Sequence, residues 1–140
     1  MLSVHGYRVE KRIQETSHSE VYAATRLQDA LPVVLKVYCE EPGRAQREFD
    51  FLSRIDDTGV ARPVALVRSD QREVLIVERF PGIPLSRYAH ARKLAAQEFL
   101  EIALCLSRSL ARVHDARVIH KDPAHHLCGD ADKVRPVLPA

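Results

Sequence analysis

The sequence predicts an α+β fold, in which a five-stranded antiparallel sheet with one helix is followed by a helical segment. Short apolar stretches separated by turn-forming residues fill positions 1–80, and one helical pattern interrupts them. The run Pro81-Gly82-Ile83-Pro84 then breaks the chain. After this break, apolar residues recur with a helical period. We therefore expect one domain at 1–80 and the incomplete beginning of another at 81–140.

Three strands are predicted at the start of the chain. The stretches 7–13 and 20–25 flank the polar turn residues 16–19 and indicate a hairpin. Pro32 ends the next loop and opens a third strand at 33–39, since proline is tolerated at the first residue of a strand. Short links join the three strands, which favours an antiparallel meander.

The first helix is predicted at 44–54, and the polar residues 56–59 end it. The apolar stripe on this helix is expected to contain Phe51, Leu52 and Ile55, with Phe49 to the side. The stripe indicates that one side of the helix packs on the sheet.

Two strands and two helices follow. The strands are predicted at 64–67 and 74–77 with a turn at 69–71, and the helices at 85–94 and 96–114. The longer helix has a wide apolar surface formed by Phe99, Leu100, Ile102, Ala103, Leu104, Leu106, Leu110 and Val113. The residues after it are too few to cover this surface, so we expect that the rest of a domain or a protein partner covers the helix 96–114.

Composition excludes several classes of protein. Hydrophobic residues make up 46% of the chain and charged residues 29%, as in soluble globular domains. The net charge is +2 with both signs interspersed, so we expect neither a nucleic-acid nor a membrane partner. No apolar run is long enough to span a membrane, and the N-terminus does not resemble a signal peptide. Three widely spaced cysteines suit reduced thiols, so a cytoplasmic location is expected.

Three charged residues form the most informative pattern. Lys36 lies in the apolar run 33–37, Glu48 follows in the first helix, and Asp122 ends the run Ile119-His120-Lys121-Asp122. A strand lysine, a helix glutamate and a loop aspartate in this order are the parts of an ATP-dependent phosphoryl-transfer site. An ordinary solvated lysine, a surface glutamate and a loop aspartate are the alternative interpretation.

The order of elements and motifs resembles the protein kinase fold over essentially the whole chain: a small lobe, a hinge and the helical start of a large lobe. More narrowly, the run 33–37 together with His120-Lys121-Asp122 is similar to the serine/threonine kinase-like domain that opens large bacterial multidomain signalling proteins. In those proteins an ATPase module follows, and often a sensor histidine kinase.

The resemblance implies roles for the three charged residues. Lys36 would bind the α- and β-phosphates of ATP, and Glu48 would pair with Lys36 and fix its direction. Asp122 would be the catalytic base that accepts or orients the substrate hydroxyl, and His120 a structural residue of the same loop.

The resemblance also implies nucleotide contacts. Val21 and Val34 would line the adenine site, Val77 would be the gatekeeper behind the base, and the backbone of Glu78 and Phe80 would pair with the adenine edge. Simple core packing is compatible with the same positions.

The loop that corresponds to the glycine-rich loop has no glycine, because Gln14, Thr16 and Ser19 occupy the three glycine positions. Thr16, Ser17 and Ser19 would offer hydroxyls and amides to the phosphates, at a steric cost that glycine avoids. A plain polar hairpin turn is the alternative.

Magnesium would accompany ATP, but its usual ligands are not present. Leu127 occupies the asparagine position, or His126 if one residue is deleted, and imidazole suits magnesium poorly. Leu138-Pro139-Ala140 stands where Asp-Phe-Gly is expected. A rival interpretation places a zinc site at His120, His125, His126 and Cys128.

Three functional hypotheses follow. The first is a kinase-like domain that binds ATP and, in the intact family, transfers the γ-phosphoryl group to protein hydroxyls in signal transduction, with little or no turnover by this chain of 140 residues. The second is a pseudokinase or truncated binding module that docks to another protein through the helix 96–114. The third is a gene fragment, or a product shifted out of frame near Pro123.

Overall fold

The computed structural model describes residues 2–39, 42–57, 59–82, 85–91 and 93–116. Asp122, His120 and the residues considered for magnesium or zinc lie outside these described residues. Within the described residues the chain is an α+β protein.

The described residues form five strands, β1 (Tyr7–Glu15), β2 (Ser19–Arg26), β3 (Pro32–Tyr38), β4 (Pro63–Ser69) and β5 (Arg72–Glu78). These strands form one antiparallel sheet in the order β1-β2-β3-β5-β4. The predicted meander of the first three strands is confirmed. Because β5 lies next to β3 and β4 lies outside it, β3 has a strand on each side.

The central strand β3 has two different faces, and every residue from Val33 to Tyr38 is buried. Side chains alternate along a strand, so residues 33, 35 and 37 face one side of the sheet and residues 34, 36 and 38 the other. The first side carries an apolar core of Leu2, Val4, Ala24, Val33, Leu35, Val37, Val74 and Ile76. Burial on both faces explains why the sequence of β3 is apolar almost throughout.

One tight turn and one irregular strand shape the sheet. Asp70 (φ 48°) and Gln71 (φ 65°) join β4 to β5, and positive φ at both central residues matches a type I′ turn. The β1–β2 pair is irregular at two places along β1, after Val9 and after Arg12, where the register shifts. Such shifts bend an edge strand and increase its twist.

Three helices lie within the described residues: α1 (Arg44–Leu52), α2 (Leu85–Ala91) and α3 (Ala96–Asp115). The helix α1 packs against β3, β4 and β5. Its residue Glu48 reaches the Lys36 side chain, so α1 lies on the sheet face opposite the apolar core described above.

The predicted end of α1 was wrong by two residues. The helix stops at Leu52, and the amide and the hydroxyl of the following Ser53 both donate to the Phe49 carbonyl, at 2.9 and 2.7 Å, which satisfies a terminal acceptor. Ile55 therefore lies beyond the helix and is not part of its apolar stripe. The buried residues of α1 are Ala45 and Leu52, which are two turns apart on one side.

The predicted end of α2 was also too late. The helix ends at Ala91, and the residues 93–95 are not helical. Ala95 is extended (φ −67°, ψ 152°) and precedes the first turn of α3, so the chain must leave the helical conformation between the two helices.

The described part of the chain divides into two compact units. The first comprises Met1–Ser53 and Arg62–Arg79 and holds the sheet and α1. The second comprises the described residues within Arg54–Ala61 and Phe80–Ala140 and holds α2 and α3.

Within the second unit, the segment 54–61 packs against α3. A Cβ atom on Gly59 would lie 2.5 Å from Ser109 Oγ, so the glycine backbone fits directly over this buried serine. The amide of Gly59 donates to Asp57 Oδ1 at 2.7 Å, and Arg112 Nε of α3 lies 3.8 Å from Asp57 Oδ2. A side chain at this position would force Ser109, Asp57 or the backbone of Gly59 to shift.

The two sides of α3 differ in exposure. Ile102, Ser109 and Val113 are buried, whereas Phe99, Leu100 and Leu104 are 58%, 64% and 52% exposed. Large apolar residues thus extend around α3 to a side that is open in the described structure. Among the residues described, no helix is both long enough and apolar enough to cross a membrane.

Candidate functional site

Lys36 and Glu48 form an ion pair in the first unit. The Lys36 Nζ atom lies 3.3 Å from both Oε1 and Oε2 of Glu48. The two side chains are only 9% and 16% exposed. The contact that the resemblance implied between these two residues is present, and both side chains are largely shielded from solvent.

The position of Lys36 follows from the alternation of β3. On the same face of the sheet, Val21 of β2 and Leu75 of β5 are its direct cross-strand neighbours. Both are buried apolar residues, which makes an isolated ammonium at this point costly. The Glu48 carboxylate offsets that cost, so removal of either charge would leave the other poorly compensated.

Tyr38 is a third member of this cluster that the sequence analysis missed. Its hydroxyl donates to Glu48 Oε2, and its ring centroid lies 5.2 Å from Lys36 Nζ. The ring also lies 5.3 Å from Cζ of Arg44 in the first turn of α1. The alternation of β3 places residues 36 and 38 on one face, and this local signal predicts that Tyr38 lies near Lys36, although it does not predict the contacts with α1.

The anchoring of α1 involves its N-terminus as well. Gly43 precedes the helix with φ 78°, a conformation that favours glycine. Its amide donates to Glu73 Oε2 on β5 at 3.1 Å. This bond fixes the start of the helix on the sheet, five residues before Glu48.

The three valines predicted to line an adenine site share the face that carries Lys36. Val34 pairs with Val77 across β3 and β5, and Val21 is the direct neighbour of Lys36. All three are at least nine-tenths buried. The alternation thus brings one charged and three apolar residues of the predicted site together on one surface.

The turn between β1 and β2 is closed by its own hydrogen bonds. Thr16 Oγ1 accepts from the amides of His18 and Ser19 at 3.3 and 3.0 Å, and the Thr16 amide donates to the Ser19 carbonyl at 2.9 Å. Ser17 is exposed at the tip. Any phosphate that binds to these amides must therefore displace bonds within the turn.

The predicted hinge residues fall in both units. The Glu78 amide donates to the Arg62 carbonyl at 2.9 Å, so any pairing of Glu78 with a ligand edge must use its carbonyl. The next amide, of Arg79, donates to the Pro32 carbonyl at 3.1 Å. Phe80 belongs to the second unit.

The described residues contain no group of three or more histidine, cysteine, aspartate or glutamate side chains that would hold a metal ion. Asp122, the predicted catalytic base, lies outside the described residues, as do the residues weighed for magnesium and zinc. The roles considered for these residues remain predictions from the sequence.

A scan of the chain against models of known protein families finds no family that matches.

Proposed function

We propose that this chain is a serine/threonine protein kinase-like domain that binds ATP. The observation that carries the proposal is the ion pair between Lys36 and Glu48, on a sheet face that also holds Val21, Val34 and Val77. A lysine held by a helix glutamate is the arrangement that directs an ammonium at the α- and β-phosphates of a nucleotide. The valines give the same face an apolar surface suited to a base.

A purely structural ion pair is the competing explanation, and the location of the pair argues against it. Buried ion pairs add little net stability compared with apolar residues of similar size, because desolvation offsets the attraction. An apolar residue in place of Lys36 would fit between its neighbours Val21 and Leu75. A lysine at this point is therefore better explained by a ligand that needs its charge.

We propose that phosphoryl transfer by this chain is weak or absent. Catalysis in kinases consists mostly of positioning and of charge neutralisation by lysine and Mg²⁺. Leu127 and Leu138-Pro139-Ala140 replace the residues expected to hold the metal. Asp122 would retain the role of catalytic base, and the hydroxyl groups of proteins would be the acceptors in signal transduction.

The proposal is tested by measuring ATP binding by isothermal titration calorimetry, with and without Mg²⁺. The variant Lys36→Met should weaken binding by about tenfold or more, since it removes a charge-assisted contact to phosphate. The matched control is Lys11→Met, at an exposed position of β1. If wild type does not bind ATP at millimolar concentration, or if both variants bind as wild type does, the proposal is wrong.

A second candidate function is that of a pseudokinase or truncated module that docks to a protein. The observation that favours it is the large exposure of Phe99, Leu100 and Leu104 on α3. Exposed apolar patches of this kind mark interaction surfaces. Sedimentation velocity of wild type and Leu104→Glu tests it: self-association lost in the variant supports docking through α3, and a monomeric wild type contradicts docking to a second copy.

A further inference from the structure

We propose that Tyr38 is a positioning residue, which holds Glu48 and the helix α1 in the place where the carboxylate meets the Lys36 ammonium. The proposal rests on the function proposed above, because the purpose assigned to this arrangement is to direct Lys36 toward a nucleotide. The proposal adds Tyr38 to the site, a residue that is not part of the sequence pattern formed by Lys36, Glu48 and Asp122.

Tyr38 contacts both members of the ion pair. Its hydroxyl donates to Glu48 Oε2, and its ring lies 5.2 Å from the Lys36 ammonium, within the range of a cation–π interaction. Tyr38 is 5% exposed, so these contacts are shielded from water. One side chain thus links the strand cation to the helix anion.

The ion pair alone is a loose restraint. Its two N···O distances are both 3.3 Å, longer than the ~2.7–2.9 Å of a well-aligned charge-assisted hydrogen bond. An ammonium on a four-carbon stem can also follow a moving carboxylate. The phenol has only two side-chain torsions and a fixed ring, so it defines the carboxylate position more narrowly than the lysine does.

The ring of Tyr38 also meets α1 one turn earlier. Arg44 lies four residues before Glu48 and therefore on the same side of the helix, and its Cζ is 5.3 Å from the ring centroid. The phenol thus contacts two successive turns of α1 from a single position on β3. These contacts fix the rotation of the helix about its axis, on which the direction of Glu48 depends.

The first experiment measures how firmly α1 is held, without nucleotide. Amide hydrogen–deuterium exchange at residues 44–52 should be faster in Tyr38→Phe than in wild type, by about five- to tenfold, because the substitution removes only the hydroxyl. The matched control is Tyr22→Phe. The Tyr22 hydroxyl also donates to a carboxylate, Glu20 Oε2 at 3.2 Å, but on the opposite face of the sheet.

The second experiment measures ATP affinity in the same variants and in the Glu48→Leu background, in which residue 48 cannot accept a hydrogen bond. Tyr38→Phe should weaken binding by about tenfold and Tyr22→Phe by less than twofold. Tyr38→Phe should have no further effect in the Glu48→Leu background, because leucine offers no acceptor to the hydroxyl. A structural role of Tyr38 that does not act through Glu48 would give the same loss in both backgrounds.

The outcomes separate this proposal from the function on which it rests. Unchanged exchange at α1 in Tyr38→Phe, or a wild-type ATP affinity in that variant, overturns the role of Tyr38. If wild type does not bind ATP, the kinase-like function fails, and faster exchange at α1 in Tyr38→Phe alone would still support Tyr38 as the residue that positions Glu48.

Discussion

Lys36 on β3 and Glu48 on α1 neutralise each other at 3.3 Å, and less than one-fifth of either side chain is exposed. Because the cross-strand neighbours of Lys36 are apolar, the glutamate is the compensation that makes this ammonium tolerable inside the fold. The pair is thus asymmetric in its effect on stability: it adds little when intact, and breaking it is costly.

The variant Lys36→Met should lower the free energy of unfolding by about 3 kcal/mol, because it removes the ammonium that lies 3.3 Å from the largely buried Glu48 carboxylate. The cost stays at the lower end of the usual range since the Tyr38 hydroxyl still donates to that carboxylate. Urea denaturation followed by circular dichroism measures it.

The matched control for this prediction is Lys11→Met on the exposed surface of β1, which should change stability by less than about 0.5 kcal/mol. The double variant Lys36→Met with Glu48→Leu should be more stable than Lys36→Met alone, since the shielded carboxylate is removed together with its ammonium partner. Equal losses in the single and double variants would show that the ion pair is not the cause.

The helices and strands could be predicted from the sequence where the local pattern of apolar and polar residues determines them. The alternation along β3 placed Lys36 on one face of its strand, and the helical pattern placed Glu48 on α1. That the two residues meet was implied by the resemblance to the kinase fold and not by local pattern. The place of β5 between β3 and β4 was not predicted, because the order of strands depends on contacts between distant segments.

The limits of the prediction at the site have the same origin. The alternation placed Tyr38 on the Lys36 face, but its contacts depend on how far α1 is displaced along the sheet, which no local pattern encodes. The bonds that Thr16 makes within its own turn were also missed, because a hydroxyl is suited equally to a ligand and to its own backbone. The end of α1 was predicted two residues too late, because the residues after Leu52 carry no strong local stop signal before residue 56.

The variant Gly59→Ala should destabilise the second unit by about 1–2 kcal/mol, because the new methyl group would lie 2.5 Å from Ser109 Oγ and 3.0 Å from Asp57 Oδ1. Gly82→Ala is the matched control, since a Cβ atom there meets no heavy atom of the described residues within 4 Å. Thermal unfolding followed by far-ultraviolet circular dichroism, which reports helix content, compares the two variants.

A partial rescue identifies the cause. Adding Ser109→Ala removes the nearest oxygen but leaves the contact with Asp57, so Gly59→Ala should cost less in that background. If Gly59→Ala and Gly82→Ala lower the midpoint equally, the cost comes from the backbone and not from the contact with α3.

Acid should weaken one exposed contact of the β2–β3 loop. Arg26 donates two hydrogen bonds to Asp29, at 2.9 and 2.6 Å, and these bonds hold the pKa of Asp29 below its ordinary value of 3.8. A carboxyl whose pKa is lower in the folded state stabilises the fold above its unfolded pKa, and the contribution is lost as the pH falls through the folded pKa.

The difference in stability between wild type and Asp29→Asn should therefore be constant from about pH 7 to about pH 5 and should shrink as the pH falls below about 4. Urea midpoints across this range measure it, with Asp70→Asn in the exposed β4–β5 turn as the control. The effect should be small, because both partners are at the surface. A difference that is the same at every pH would contradict the role of the Arg26 bonds.

Substitution by alanine should lower the stability on one side of α3 and leave it nearly unchanged on the other. Ile102 is 5% exposed, so Ile102→Ala should remove packed methyl groups, leave a cavity and cost about 2–4 kcal/mol. Leu100 is 64% exposed, so Leu100→Ala should change stability by less than about 0.5 kcal/mol, since alanine and leucine are both good helix formers. Urea denaturation at low protein concentration measures both.

Self-association would make the loss in Leu100→Ala grow with protein concentration, because a second copy would then stabilise the folded state by mass action. A cost for Leu100→Ala equal to that of Ile102→Ala at the lowest concentration would mean that this side of the helix is packed within the chain itself, which would remove the basis for docking through α3.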